Sequence, residues 1–157
     1  GSPTLNVVNG LPGFTLPDSA TTSVVGVVDI PSSWEWFYVY AVWTCAVQSG
    51  LSGSNNKMVV EMLAAPLMGP TGTEAAGYAS ADYAAVTSLT GRTGNVALTV
   101  QNGTNVYSQR VNLVSPNLPM LDTGRPLALQ LRRKGSDGSD TWTGTATLVG
   151  LMVERYA

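Results

Sequence analysis

The chain contains short segments in which hydrophobic and polar residues alternate, which is the pattern of a β-strand with one buried face. Leu127, Leu129 and Leu131 show this pattern clearly. Gly, Pro, Asn, Asp and Ser separate the segments at short intervals, as expected of turns between strands. The sequence therefore predicts an all-β fold. The predicted strands cover residues 21–30, 34–48, 57–63, 95–101, 104–113, 127–133 and 141–156.

Residues 34–48 form the most hydrophobic of these strands, and both of its faces are largely apolar. One face carries Trp34 and Tyr40, and the other carries Phe37 and Trp43. Such a strand is buried between two layers, or its outer face packs against another subunit. A sugar-stacking aromatic platform is the alternative interpretation.

Two turn signals predict β-hairpins. Asn102-Gly103 separates two alternating strands, and both residue types tolerate the positive φ of a type I′ turn. Residues 132–140 form a charged turn whose Asp and Ser side chains can bond the local backbone. Its alternating oxygens also suit calcium, but the segment lacks the spacing and the Glu of an EF-hand loop. Asp140 is expected to pair with Arg132 or Arg133, and such a pair contributes only about 0.2–1 kcal/mol if it is exposed.

The chain is predicted to be a single domain, an antiparallel β-sandwich of the jelly-roll type. We expect residues 1–3 to be a cloning remnant and residues 4–157 to form the sandwich. Residues 4–20 combine a short apolar patch with a Pro- and Gly-containing loop. They are predicted to be an N-terminal arm on a neighbouring subunit or an edge strand. Residues 78–89 are expected to form a short helix or a loop.

The alternation of the last predicted strand changes face near Gly150. Before this point the apolar residues occupy even-numbered positions, on the same face as Leu148. After it they occupy odd-numbered positions, on the same face as Leu151. Either a β-bulge swaps the faces, or both faces are buried and one of them contacts a partner subunit. The candidate interface residues are Val149, Leu151, Val153 and Tyr156.

The composition favours an assembled protein. Charged residues make up only 11% of the chain, less than half of the usual fraction. A charge-poor surface is expected to be covered by other subunits. The net charge of −2 excludes a general basic surface for nucleic acid. No apolar stretch approaches the roughly 20 residues of a membrane span, so membrane insertion is not expected.

The residue types exclude several catalytic mechanisms. The chain contains no histidine, which rules out Ser-His-Asp and Cys-His machinery and His-based metal sites. Cys45 is the only cysteine, and its apolar neighbours predict a buried thiol. Paired carboxylates are the remaining enzymatic option. We expect that the chain is not an enzyme and that it binds neither a metal nor a cofactor. The carboxylates considered are Glu35, Glu61, Glu74, Asp82, Asp122, Asp137, Asp140 and Glu154.

The C-terminal segment has a recognisable order of features. Residues 127–133 follow a Leu-x-Leu-x-Leu-x-Arg pattern and lead into a Gly/Asp turn. Residues 140–144, Asp-Thr-Trp-Thr-Gly, come next, and an apolar strand then ends at Tyr156. This arrangement resembles the C-terminal hairpin of tail-fibre and other appendage proteins of tailed bacteriophages. The resemblance implies a trimeric β-sandwich.

The resemblance further implies a non-enzymatic structural protein of the virion, a homotrimer in contact with other virion proteins. Its expected task is attachment to a host cell-surface glycan. Capsid decoration is an alternative role, and a carbohydrate-binding module or lectin domain is the alternative from another class. Exposed aromatic residues near loops would contact the ligand. The candidates are Tyr78, Tyr83 and Tyr107.

Overall fold

The computed structural model describes residues 3–31, 33–34, 37–66, 96–103, 106–111 and 126–155. These residues contain nine strands and no helix, and therefore no helix long enough to cross a membrane. The strands are β1 (Leu5–Val8), β2 (Leu11–Leu16), β3 (Thr21–Asp29), β4 (Phe37–Thr44), β5 (Lys57–Pro66), β6 (Val96–Thr99), β7 (Val106–Val111), β8 (Pro126–Lys134) and β9 (Ala146–Arg155).

The strands form two antiparallel sheets. Sheet A has the order β1-β2-β9-β4-β7, and sheet B has the order β3-β8-β5-β6. From β2 onward, β5 and β6 are the only consecutive described strands that share a sheet, so the chain crosses repeatedly between the two layers. This is the double Greek-key connectivity of a jelly roll. The predicted antiparallel, jelly-roll-like β-sandwich is confirmed, and the number of subunits stays a prediction.

The inner faces of the two sheets form one hydrophobic core. Alternate residues of β4, including Phe37 and Trp43, are buried on this side, whereas Tyr38 and Tyr40 lie half-buried on the outer side. Cys45 is a free and fully buried cysteine, as its apolar neighbours predicted. Sheet A contributes Leu16, Phe37, Val39, Ala41, Trp43, Ala146 and Leu148, and sheet B contributes Met58, Val60, Met62, Leu98, Ala128, Leu129 and Leu131.

The N-terminal segment is a regular hairpin at the edge of sheet A. Asn9 and Gly10 have φ values of 53° and 80°, which both residues of a type I′ turn require. β2 then pairs with β9, although this Pro- and Gly-containing part of residues 4–20 was predicted to be a loop. That prediction was wrong because Pro12 and Gly13 fit into the strand. β1 is the outermost strand of sheet A.

The two predicted hairpins in the second half of the chain are wrong. β6 pairs with β5 in sheet B, whereas β7 pairs with β4 in sheet A. Asn102 lies between them, and its side chain bonds both backbone groups of Leu51. β8 and β9 also belong to different sheets, so residues 135–145 form a crossover and not a hairpin turn. Local alternation identified the strands but not their partners.

A β-bulge explains the change of parity in β9. Val42 is opposite Gly150 and Trp43 is opposite Leu148, so Val149 has no partner residue on β4. The extra residue turns Leu148 and Leu151 towards the same side. The bulge is therefore the interpretation that the structure supports for this strand.

The close approach of β2 to β9 generates a prediction. An added Cβ at Gly13 would lie 2.2 Å from the carbonyl oxygen of Leu148. Because backbone atoms must move to relieve this overlap, Gly13→Ala should lower the free energy of unfolding by roughly 1–3 kcal/mol. The matched control is Gly53→Ala, where nothing lies within 4 Å of an added Cβ. Equal urea-unfolding midpoints for the two variants would contradict the prediction.

Candidate functional site

The guanidinium of Arg133 is completely buried at the end of β8. Its Nε and Nη2 donate to the two carboxylate oxygens of Asp140, at 2.9 and 2.7 Å. Nη1 donates to the carbonyl oxygens of Leu16 and Gly144, at 3.0 and 2.5 Å, and Nη2 also donates to that of Trp142. Arg133 thus uses all five of its N–H donors. A charge that would be costly to bury alone is therefore fully compensated.

Aromatic packing completes this cluster. The guanidinium of Arg133 lies 4.9 Å from the ring centroid of Trp142, within the range of a cation–π contact. Trp142 also packs against Trp43, with ring centroids 6.0 Å apart, and its indole nitrogen donates to Gln48. An added Cβ at Gly144 would overlap the Trp142 ring. The crossover between β8 and β9 is therefore closely packed on the core.

The predicted ion pair of Asp140 is formed with Arg133, but it is buried, so the energy expected for an exposed pair does not apply to it. The side chains of Arg133 and Asp140 are 0% and 1% exposed, so solvent does not screen their attraction. Arg132 instead points to the other side of β8, where it forms a partly exposed ion pair of 2.8 Å with Glu61. The sequence contained a signal that Arg133, and not Arg132, is buried. In an alternating strand Arg133 lies on the same face as Leu129 and Leu131.

The rest of the crossover has the geometry of turns. Asp137 accepts a hydrogen bond from the backbone of Ser139, and its own amide donates to the carbonyl of Lys134. The amide of Asp140 in turn donates to the carbonyl of Asp137. Among the described residues no group of three or more acidic or Cys side chains is arranged to hold a metal. Turn formation accounts for the oxygen-rich sequence in this segment.

The outer face of sheet A carries an aromatic and acidic surface. The hydroxyl of Tyr40 donates to Oε2 of Glu154 at 2.6 Å. Tyr38 is half-buried beside this pair, opposite Glu154 in the register of β4 and β9. Met152, opposite Tyr40, is 60% exposed. On the other side of β4, Arg110 is the register partner of Tyr40. We call this surface the tyrosine face; it combines apolar area with hydrogen-bonding groups.

The predicted ligand residues are only partly placed. Tyr78 and Tyr83 lie outside the described residues. Tyr107 lies in β7, opposite Trp43 of β4. The described residues therefore do not bring these three tyrosines together, and their contact with a ligand stays a prediction. Tyr38 and Tyr40 were recognised in the sequence only as part of a strand with two apolar faces.

The predicted interface residues lie in or beyond β9. Leu151 and Val153 are partly buried and pack against the core of their own chain. Val149 is the half-buried bulge residue, and Tyr156 lies outside the described residues. The apolar residues after the bulge, which suggested a partner subunit, are thus explained by packing within one chain. A contact of these four residues with another subunit stays a prediction.

Most of the described carboxylates already have structural partners. Asp140 pairs with Arg133, Glu61 with Arg132, and Asp137 bonds its own turn. Glu154 is exposed on the tyrosine face. The remaining candidates Glu35, Glu74, Asp82 and Asp122 lie outside the described residues.

Comparison with known proteins gives a structural likeness. No protein-family model matches the chain, and no curated protein matches its sequence. A solved structure that the chain resembles is the enzymatically active domain of tailspike protein 4 from bacteriophage CBA120. The TM-score is 0.43 and the sequence identity 11%, and the match covers 99% of this chain but only 18% of that chain. The chain therefore spans less than a fifth of the length of the structure it resembles.

This finding corrects the prediction that the chain is not an enzyme, because the similar structure is described as enzymatically active. The prediction relied on the resemblance to structural virion proteins and on the missing histidine, which excludes some mechanisms but leaves carboxylate chemistry available. At this TM-score and identity the likeness assigns neither a reaction nor a substrate to the chain.

The neighbouring residues Arg132 and Arg133 provide a matched pair of variants. Arg133→Lys should lower the free energy of unfolding by about 3–5 kcal/mol, because an ammonium has three donors in place of five and leaves some of the buried acceptors around it without a hydrogen bond. Arg132→Lys should change it by less than about 1 kcal/mol, because its ion pair is partly solvated. Guanidinium unfolding measured by tryptophan fluorescence distinguishes the two. Similar losses in both variants would show that the buried cluster does not stabilise the fold as described.

Proposed function

We propose that this chain is a domain of a bacteriophage tail appendage, carried on the virion, that attaches to a host-surface glycan through the tyrosine face. It assembles with two further copies of itself and contacts other virion proteins. The jelly-roll fold is compatible with this role. The order of features in the sequence of residues 127–156 resembles that of phage appendage proteins and supports it, although β8 and β9 lie in different sheets and do not form the expected hairpin.

The observation that carries the attachment proposal is the paired arrangement of Tyr40 and Glu154 on the outer face of sheet A. A tyrosine ring offers a flat apolar surface, and its hydroxyl fixes the neighbouring carboxylate by a hydrogen bond of 2.6 Å. A sugar ring presents the matching chemistry, with C–H groups on one face and hydroxyls around its edge. The carboxylate accepts from those hydroxyls, and the ring provides apolar contact.

The strand that carries this face is paired on both sides and packed on the core. β4 lies between β9 and β7, and its inner residues Phe37 and Trp43 are 3% and 2% exposed. Tyr38 and Tyr40 alternate with these core residues, so their backbone positions are fixed by the packing below them. A site on a packed strand keeps its geometry before the ligand arrives, which lowers the entropic cost of binding.

Glycan binding should depend on the tyrosine ring. Tyr40→Ala should weaken binding to a host-surface glycan by about tenfold, because it removes both the apolar contact and the group that orients Glu154. Tyr40→Phe should weaken it less, since the ring remains. The measurement is a glycan array followed by calorimetry, with exposed Val47→Ala as the control. Unchanged affinity in Tyr40→Ala would refute the proposed site, and a release assay on the bound glycans reports any hydrolysis.

The assembly state separates the proposed role from that of a carbohydrate-binding module or lectin domain. A virion trimer should have three times the chain mass of 16.4 kDa in light scattering, independent of added glycan. A monomer at all concentrations would favour the binding-module alternative. Binding of the labelled protein to host cells, and not to purified capsids, would distinguish attachment from capsid decoration.

A further inference from the structure

Sheet A extends beyond sheet B at one edge. β3, which follows β2 in the chain, is the outermost strand of sheet B, whereas in sheet A β1 lies outside β2 and has no counterpart among the described strands of sheet B. The inner face of sheet A therefore continues past the core. A row of directly opposed residues shows this: Trp43 is 2% exposed, Leu148 4%, Phe14 43% and Leu5 73%.

The exposed end of this row is an apolar patch. Val7 lies two residues from Leu5 on the same side of β1 and is 61% exposed. We call Leu5, Val7 and Phe14 the overhang. These side chains are apolar and lie on the inner face of sheet A, as core residues do. No described strand of sheet B lies opposite them. A sheet face of this kind gains stability when another apolar surface covers it.

A second apolar patch lies on the neighbouring edge strand of sheet B. Val24 and Val28 of β3 pack on the core, so the odd-numbered residues between them lie on the outer side of the sheet. Val25 and Val27 are 49% and 59% exposed there. We call these two residues the β3 patch. Of the seven large hydrophobic residues that are exposed in the described part of the chain, five belong to the overhang or the β3 patch.

The charge distribution identifies the kind of partner that fits both patches. Residues 1–17 contain no charged side chain, and neither do residues 19–28. Two copies of the chain can therefore bring these surfaces together without placing like charges opposite each other. A nucleic acid or an acidic ligand would need cations that this edge does not have. An uncharged, apolar partner such as a second copy of the chain fits it.

The symmetry of a trimer adds a further condition. A closed three-fold ring is built from one heterologous contact repeated three times, so each subunit must present two different, complementary patches. The overhang and the β3 patch are two such surfaces, one on each sheet and both near the same edge. We propose that the overhang of one copy packs on the β3 patch of the next copy. This inference rests on the proposed homotrimer and locates its contact.

Single charge insertions test the contact. Val7→Lys or Val27→Asp should raise the dissociation constant of the trimer at least about tenfold, because each buries a charge against an apolar patch. The matched controls are Val47→Lys and Val47→Asp, since Val47 is 66% exposed in the connection after β4. The measurement is sedimentation equilibrium of the full chain, with thermal unfolding to show that each variant folds. Leu5→Lys provides a second overhang variant with the same expected effect.

The double variant Val7→Lys with Val27→Asp tests the pairing itself. The introduced ammonium of one copy meets the introduced carboxylate of the next, so association should recover relative to either single variant. Additive weakening in the double variant would overturn the proposed pairing. A wild-type trimer that is unaffected by all three single substitutions would overturn the inference but leave the trimer intact. A monomeric wild type would instead refute the assembly part of the proposed function.

Discussion

The hydrogen bonds of the Arg133 guanidinium connect both sheets of this protein. Arg133 lies at the end of β8 in sheet B, and it binds the carbonyl of Leu16 at the end of β2 in sheet A. Asp140, its ion-pair partner, also accepts from the backbone amide of Val59 in β5. A buried guanidinium is stable only if its donors are satisfied, so the surrounding carbonyls must stay in place. The crossover between β8 and β9 is fixed by this requirement and by the packing of Trp142.

The position of β9 depends on that crossover, and the candidate surfaces depend on β9. β9 pairs with β2 on one side and with β4 on the other, so it connects the overhang to the tyrosine face. The bulge at Val149 lets both halves of β9 turn apolar residues towards the core. Met152 and Glu154 are then left on the outer side, beside Tyr40. One buried ionic cluster therefore indirectly positions two surfaces that it does not touch.

The sequence predicted the fold class because alternation and turn residues are local properties of the chain. It did not predict which strands pair, because pairing in a jelly roll connects residues distant in sequence. Asn9-Gly10 and Asn102-Gly103 illustrate the limit. Both are strong turn signals, yet the first closes a hairpin and the second precedes a crossing between sheets. The side chain of Asn102 bonds Leu51, a contact that no local pattern contains.

The candidate surfaces could be predicted from the sequence only in part. Parity placed Tyr38 and Tyr40 on one face of β4, but the neighbouring Glu154 comes from a strand more than 100 residues later. The same parity rule puts Arg133 on the face of the core leucines, but this signal was not used because the charge of the residue suggested a surface position. Alternation therefore gives the side of a strand to which a residue belongs. Whether that side is covered depends on the number of strands in the opposite sheet.

That dependence explains why the apolar N-terminal hairpin is exposed. β1 and β2 have the alternation of core strands, and in a sandwich with two sheets of equal width such residues would be buried. In the part of the chain that the structure describes, sheet A has five strands and sheet B has four, so no described strand covers the residues that would face a fifth strand. The charged residues lie elsewhere, with seven of them in residues 126–157 and only two in residues 1–31. A monomer with this distribution would leave its uncharged edge in water, whereas in the proposed trimer another copy would cover it.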